Sequence, residues 1–100
     1  MTKAEFWDCG FRITGHSTKN AGDEEGRALC AAVSSAAYMA ANTVTEIIGD
    51  SAEVKVKEGE MFFEAKNPSD KTAAVLKGLK LHLSELSKQY GKRLNVISEV

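Results

Sequence analysis

The chain has 100 residues, 43% hydrophobic and 27% charged, with a single proline and a formal net charge of −1. That length suits one modest core, so a single domain over residues 1–100 is expected. The near-neutral charge, with basic residues spread along the chain, excludes the electrostatic footprint of a general nucleic-acid binder. No apolar run approaches the roughly 20 residues that span a bilayer, and Met1–Glu5 lacks the apolar centre of a signal peptide, so no membrane partner is expected and a cytoplasmic location is.

Lys3 to Trp7 and Phe11 to Thr14 are β-prone and separated by Asp8-Cys9-Gly10, which reads as two strands or one bent strand. From Gly15 to Gly26 the apolar pattern stops and small polar residues dominate. A connection of that length inside a small domain is more often functional than idle. Leu29, Val33, Ala36, Ala40, Val44 and Ile47 then recur at helical spacing, among seven alanines between Ala28 and Ala41. The helix should present a narrow small-residue face and stop near Ile48-Gly49.

Ala52 to Lys57 alternates valines with charges, and Met61 to Lys66 resumes strand composition after Glu58-Gly59, which predicts a hairpin. Asn67-Pro68-Ser69-Asp70 supplies turn and capping residues for a second helix with the stripe Val75, Leu79, Leu83, Leu86 and Tyr90, closed by Gly91. Arg93 to Glu99 is a final strand. The order β(β)-α-β-β-α-β predicts an α+β two-layer sandwich, a mixed four- or five-stranded sheet with two helices. One sheet face would stay uncovered, and homodimerisation is a natural way to hide it or an exposed helix edge.

The two cysteines, Cys9 and Cys30, are expected as free thiols in a reducing compartment. Cys9 has no motif around it and reads as a small buried hydrophobe. Cys30 lies near the predicted start of a helix, and Gly15-His16 ends a strand fourteen positions earlier. Thiol catalysis attacks as thiolate, a form favoured by a helix N-terminus or an imidazolium, and a neutral-range histidine can take the thiol proton and return it to a leaving amine. His16 is the candidate base. His82 falls mid-helix beside the apolar stripe and reads as a surface residue. A metal site from Cys9, His16 and Cys30 is a weaker reading, since no fourth ligand stands at a recognisable spacing. No phosphate-loop or dinucleotide fingerprint is present, and no cofactor is implied.

Gly15-His16-Ser17, followed by Leu29-Cys30-Ala31-Ala32-Val33-Ser34, resembles the bacterial ribosomal-processing cysteine protease family. Its hallmark is Gly-His, a glycine-bearing mobile loop, then Cys-Ala-Ala-Val-Ser opening a helix. The resemblance implies a cysteine endopeptidase that removes a short N-terminal extension from large-subunit ribosomal protein twenty-seven. Cys30 would be the nucleophile of a dyad, His16 its acid–base partner, and the intermediate an acyl-enzyme. Gly15 is carried over with His16. Ser34, one helical turn after Cys30, either tunes the thiolate and anchors the loop, or bonds back to its own helix backbone.

Two features depart from the family pattern. The loop is a residue or two longer, and the usual aspartate three positions before the cysteine is Arg27. Among the preceding acids Asp23 is the leading candidate to cap the helix or orient His16. Arg27 is expected to favour the thiolate, and the acids to disfavour it. The long loop suggests gating, with residues 17–25 mobile until substrate orders them. The competing expectation is a non-catalytic ribosome-associated or regulatory homodimer of the same fold.

Overall fold

In the computed structural model, which describes residues 1–18 and 20–98, two hairpins build most of one sheet. β1 (Thr2–Trp7) turns through Asp8 and Cys9 into β2 (Gly10–Thr14), and β3 (Ala52–Lys57) turns through Glu58 and Gly59 into β4 (Glu60–Ala65). β5 (Leu94–Ser98) completes a five-stranded sheet ordered β3-β4-β2-β1-β5. Only the β1–β5 pairing is parallel, with Ala4 opposite Val96; β2 and β4 run antiparallel with Phe11 opposite Phe63. The expected α+β sandwich with a mixed sheet is therefore the observed one. Glu99, at the end of the predicted last strand, lies outside the described residues.

Two helices pack on one face of the sheet. α1 (Glu24–Asn42) starts at Asp23, whose carboxylate accepts the N–H of Gly26, and Glu24 and Glu25 put negative charge in its first turn, where the helix dipole favours it. α2 (Asp70–Tyr90) is capped by Ser69 and stopped by Gly91. The core comprises Ala4, Phe6, Phe11, Ile13 and Phe63 from the sheet, Leu29, Val33 and Ala37 from α1, and Leu76, Leu79 and Leu83 from α2. Leu29 and Leu83 are fully buried, each contributing about 1.5–3 kcal/mol of apolar transfer. The small residues of α1 let α2 pack closely beside it.

The predicted apolar stripe of the first helix fails at its end. From Thr43 to Ile48 the backbone widens to a π-helix, and the Thr43 and Thr45 hydroxyls bond back to the carbonyls of Met39 and Ala41. A wider turn rotates later side chains out of phase with a 3.6-residue repeat. Val44 stays buried, whereas Ile47 is 80% exposed. In α2 the buried line is Thr72, Leu76, Leu79 and Leu83, with Val75, Leu86 and Tyr90 packed at its margin.

Asp50 joins the two helical segments. Its Oδ2 accepts the Ser69 N–H, the Ser69 hydroxyl and the Thr72 hydroxyl, at 2.9, 2.8 and 2.6 Å. These bonds, from Thr72 first and Ser69 second, hold its carboxyl below the usual value of 3.8. The opposite sheet face carries polar cover of its own. Arg12 lies 5.2 Å over the Phe62 ring and pairs with Glu60 at 3.3 Å, while the Trp7 indole N–H donates to Glu64 at 3.1 Å. No helix among the described residues is long and apolar enough to cross a membrane.

Candidate active site

β2 ends at Thr14, and the chain leaves the sheet through Gly15, whose φ of +90° is a conformation that L side chains rarely adopt. A Cβ there would also sit 2.4 Å from the Met1 carbonyl oxygen, so both conformation and space demand glycine. The Gly15 N–H donates to the Gly59 carbonyl at 2.9 Å, which ties this exit to the tip of the β3–β4 hairpin. His16 is exposed and its ring lies against Gly59: an added Cβ at 59 would come within 3.2 Å of Nε2 and 3.8 Å of Cε1. No hydrogen bond to His16 exists among the described residues, and the exposed ring meets the hairpin tip at Gly59.

Ser17 is 3% exposed, and all its polar groups are engaged. Its hydroxyl pairs with that of Thr2 at 2.6 Å and donates to the Arg93 carbonyl at 3.3 Å. Its carbonyl accepts from Arg93 Nη1 at 2.9 Å, and its N–H donates to Cys30 Sγ at 3.2 Å. The stretch 17–25, expected to be mobile until substrate orders it, is hydrogen-bonded at both ends. Ser17 is fixed on one side, and Asp23 is fixed on the other by the Gly26 N–H at 3.1 Å and Arg93 at 2.5 Å.

Cys30 is a half-buried free thiol in the second turn of α1, since the helix already begins at Glu24. It therefore stands deeper in the helix than its sequence placement suggests, beyond the first turn where the dipole acts most strongly. The donor aimed at its sulfur is the backbone N–H of Ser17. Ser34 follows one turn later with an exposed hydroxyl that has no hydrogen bond among the described residues, neither to Cys30 nor back to its own helix. Arg27 turns away from Cys30 and donates to the Ala21 carbonyl inside the loop, so its expected support of the thiolate has no contact behind it.

Gly15, His16, Cys30 and Ser34 all line one cleft, with Tyr38 from α1 and Val56, Lys57, Gly59 and Glu60 from the second hairpin. Its volume of ≈ 140 Å³ is below the range that holds a drug-sized ligand. β3 is an edge strand, so its outer backbone groups are open to an extended chain beside the cleft. Asp23 does not line the cleft; its carboxylate caps α1 and meets Arg93. Cys9 lies in the β1–β2 turn, at the other end of β2 from His16, and no cluster of three His, Cys, Asp or Glu placed to hold a metal occurs among the described residues. His82 is exposed on α2.

Two contributors escaped sequence reasoning, Gly59 and Arg93, and Ser17, though part of the motif, was given no role there. Gly59 carried a hairpin signal but none for its contact with His16, and Arg93 stands 63 positions from Cys30 in the chain.

A family model described as cysteine protease Prp matches residues 1–95. Among solved structures, a ribosomal processing protease Prp from S. aureus with a covalently linked product peptide superposes with a TM-score of 0.80 at 12% identity, covering 98% of this chain and 97% of that one. The same S. aureus protease with a substrate peptide gives 0.82 at 11% identity, covering 98% and 97%. SMU.848 from Streptococcus mutans gives 0.83 at 17% identity, covering 99% and 96%. At these identities the likeness is one of fold. No curated protein matches the chain.

Proposed function

The chain belongs to the cysteine protease Prp family, and from that premise we propose that it is an endopeptidase working through a dyad of Cys30 and His16. The observation that carries this reading is the convergence of Gly15, His16, Cys30 and Ser34 on one cleft, with a backbone N–H already directed at the Cys30 sulfur. Cys30 gives its proton to His16, and Sγ adds to the scissile carbonyl. The tetrahedral adduct collapses as the C–N bond breaks, His16 protonates the departing amine, and a thioester remains on Cys30. Water, deprotonated by His16, then releases the acid and restores the thiol. Gly15 and Gly59 hold the base, Ser34 lies beside the nucleophile, and Asp23 acts at a distance by capping α1.

The proposed substrate is the N-terminal extension of large-subunit ribosomal protein twenty-seven. Support comes from the Gly-His and Cys-Ala-Ala-Val-Ser motifs, from the open β3 edge beside the cleft, and from the S. aureus relative described as a ribosomal processing protease. Two unpaired cysteines agree with a cytoplasmic location. A homodimer belongs to the same proposal, and of its two expected seats the exposed helix edge is favoured over the sheet face. The outer sheet face is covered by its own ion pairs, whereas Met39 and Ile47, 65% and 80% exposed, lie on the helical side.

The deciding experiment incubates the purified protein, wild type beside Cys30→Ala and His16→Ala, with the host's full-length ribosomal protein and reads intact masses. Loss of an N-terminal fragment with wild type alone supports the protease and both roles. No cleavage by any of the three removes this substrate and favours a non-catalytic partner of the ribosome.

A further inference from the structure

Arg93 stands at the end of the short 3₁₀ turn Gly91–Arg93, immediately before β5, and belongs to no motif that sequence reasoning singled out. Its side chain is 20% exposed and that of Asp23 9%, so the two form a largely buried ion pair. One nitrogen, Nη1, donates both to the Asp23 carboxylate at 2.5 Å and to the Ser17 carbonyl at 2.9 Å, while Nε faces the more exposed Glu25 at 3.2 Å. The main chain of Arg93 takes part as well, since its carbonyl accepts the Ser17 hydroxyl. The hydrogen bond it donates to Asp23, foremost, keeps the guanidinium protonated to even higher pH than usual.

Space for this cluster is made by Gly26. A Cβ there would lie 2.6 Å from Asp23 Oδ2, 2.7 Å from the Ser17 carbonyl oxygen and 2.8 Å from Arg93 Nη1. The chain on either side of the polar loop is thus gathered onto one cation. Ser17, held by its carbonyl and its hydroxyl, has little freedom left in the direction of its N–H, and that N–H points at Cys30 Sγ.

We propose that Arg93 is a positioning residue for the nucleophile: by clasping the Ser17 carbonyl and Asp23 together it aims the Ser17 N–H at the Cys30 sulfur. The role rests on Cys30 being the nucleophile. It reaches the reaction indirectly, through Ser17 and the Asp23 cap, since Arg93 does not line the cleft that holds His16 and Cys30. A hydrogen bond to an anionic sulfur stabilises the attacking form, so loss of the clasp lowers thiol reactivity even where the fold survives. Both contacts that matter come from one nitrogen, so a lysine ammonium is a partial substitute and a neutral amide is not.

The test uses the full chain in a Cys9→Ser background and reads the rate of Cys30 alkylation by iodoacetamide at pH 7, the NMR signal of the Ser17 amide, and cleavage of the ribosomal protein substrate. Arg93→Gln is expected to slow alkylation about tenfold and to move the Ser17 amide resonance, with Arg93→Lys recovering most of the rate. If Arg93→Gln does not fold, Arg93→Lys alone decides: a rate below wild type with a shifted Ser17 amide supports the clasp. Wild-type alkylation and an unmoved Ser17 amide in a folded variant overturn it, whatever the loss in melting temperature. If the wild type alkylates rapidly, the variants slow, and no peptide is cut, the clasp stands and the protease reading fails. If peptide is cut equally by wild type and Arg93→Gln, the clasp alone fails.

Discussion

The imidazole of His16 rests on Gly59, so close that one added methyl at residue 59 would stand 3.2 Å from Nε2. The proposed base is thus positioned by a hairpin tip 43 residues away in the chain, with no carboxylate hydrogen-bonded behind it among the described residues. The arrangement separates the two halves of the proposed dyad, since Gly59 lies against the ring and Ser17 addresses the sulfur.

Gly59→Ala should therefore displace the base while leaving the thiol. The φ of +76° at this position costs alanine about 1 kcal/mol of stability. Cleavage is expected to fall about tenfold, part of the roughly 10²–10⁴ that a positioned acid–base supplies. Alkylation of Cys30 should change little. Parallel measurement of peptide cleavage and iodoacetamide labelling checks the split, and equal losses in both would remove Gly59 from the role.

Gly15→Ala is expected to be worse for the fold. Its Cβ would meet a backbone oxygen, that of Met1, at 2.4 Å, and the backbone there cannot yield without pulling on the β1–β2 pairing. A loss of about 1–3 kcal/mol in urea unfolding is expected from the strained φ alone, with more from the contact. A variant as stable as wild type would show that the β2 exit relaxes freely.

Amide exchange should divide the loop instead of melting it whole. The Ser17 N–H is buried and bonded to sulfur, so it should exchange slowly, with the core. The amides of Asn20 and Ala21, at the exposed tip, should exchange fast. Residue-resolved hydrogen exchange reads both, and rapid exchange at Ser17 would restore the picture of a loop mobile throughout.

Acid should weaken the junction between the helices at Asp50. Its folded-state carboxyl lies below 3.8, so the stabilisation it gives is complete above the unfolded value and is lost as pH falls through the folded one. Asp50→Asn removes that contribution at neutral pH. Urea unfolding from about pH 6 down to about pH 2 should show wild type and variant converging at the acid end. A gap that stays constant over that range would contradict the linkage.

Much of the architecture was legible because it rests on local signals. Alternation marked β3 and β4, Ser69 and Gly91 bounded α2, and the small-residue run from Ala28 to Ala41 marked the helix against which α2 packs closely. Asp23 was readable as a cap because capping is a matter of three residues. Ile47 was misplaced because a π turn leaves the hydrophobic repeat of the sequence unchanged while rotating the backbone that carries it. The Arg27 contact with the Ala21 carbonyl was not legible, because one turn of spacing says which face a side chain leaves from, not where a long, flexible arm ends.

The sequence by itself determined the order of elements, the family motifs and the candidate pair Cys30 and His16, because each is written in neighbouring residues or in a repeat along the chain. Only the tertiary structure decided what stands around that pair: Gly59 beneath the imidazole, the Ser17 N–H on the sulfur, and Arg93 closing the loop onto Asp23. Such contacts join residues far apart in the chain. They depend on distances of a few tenths of an ångström, which arise only once the sheet register and the packing of both helices bring those residues together.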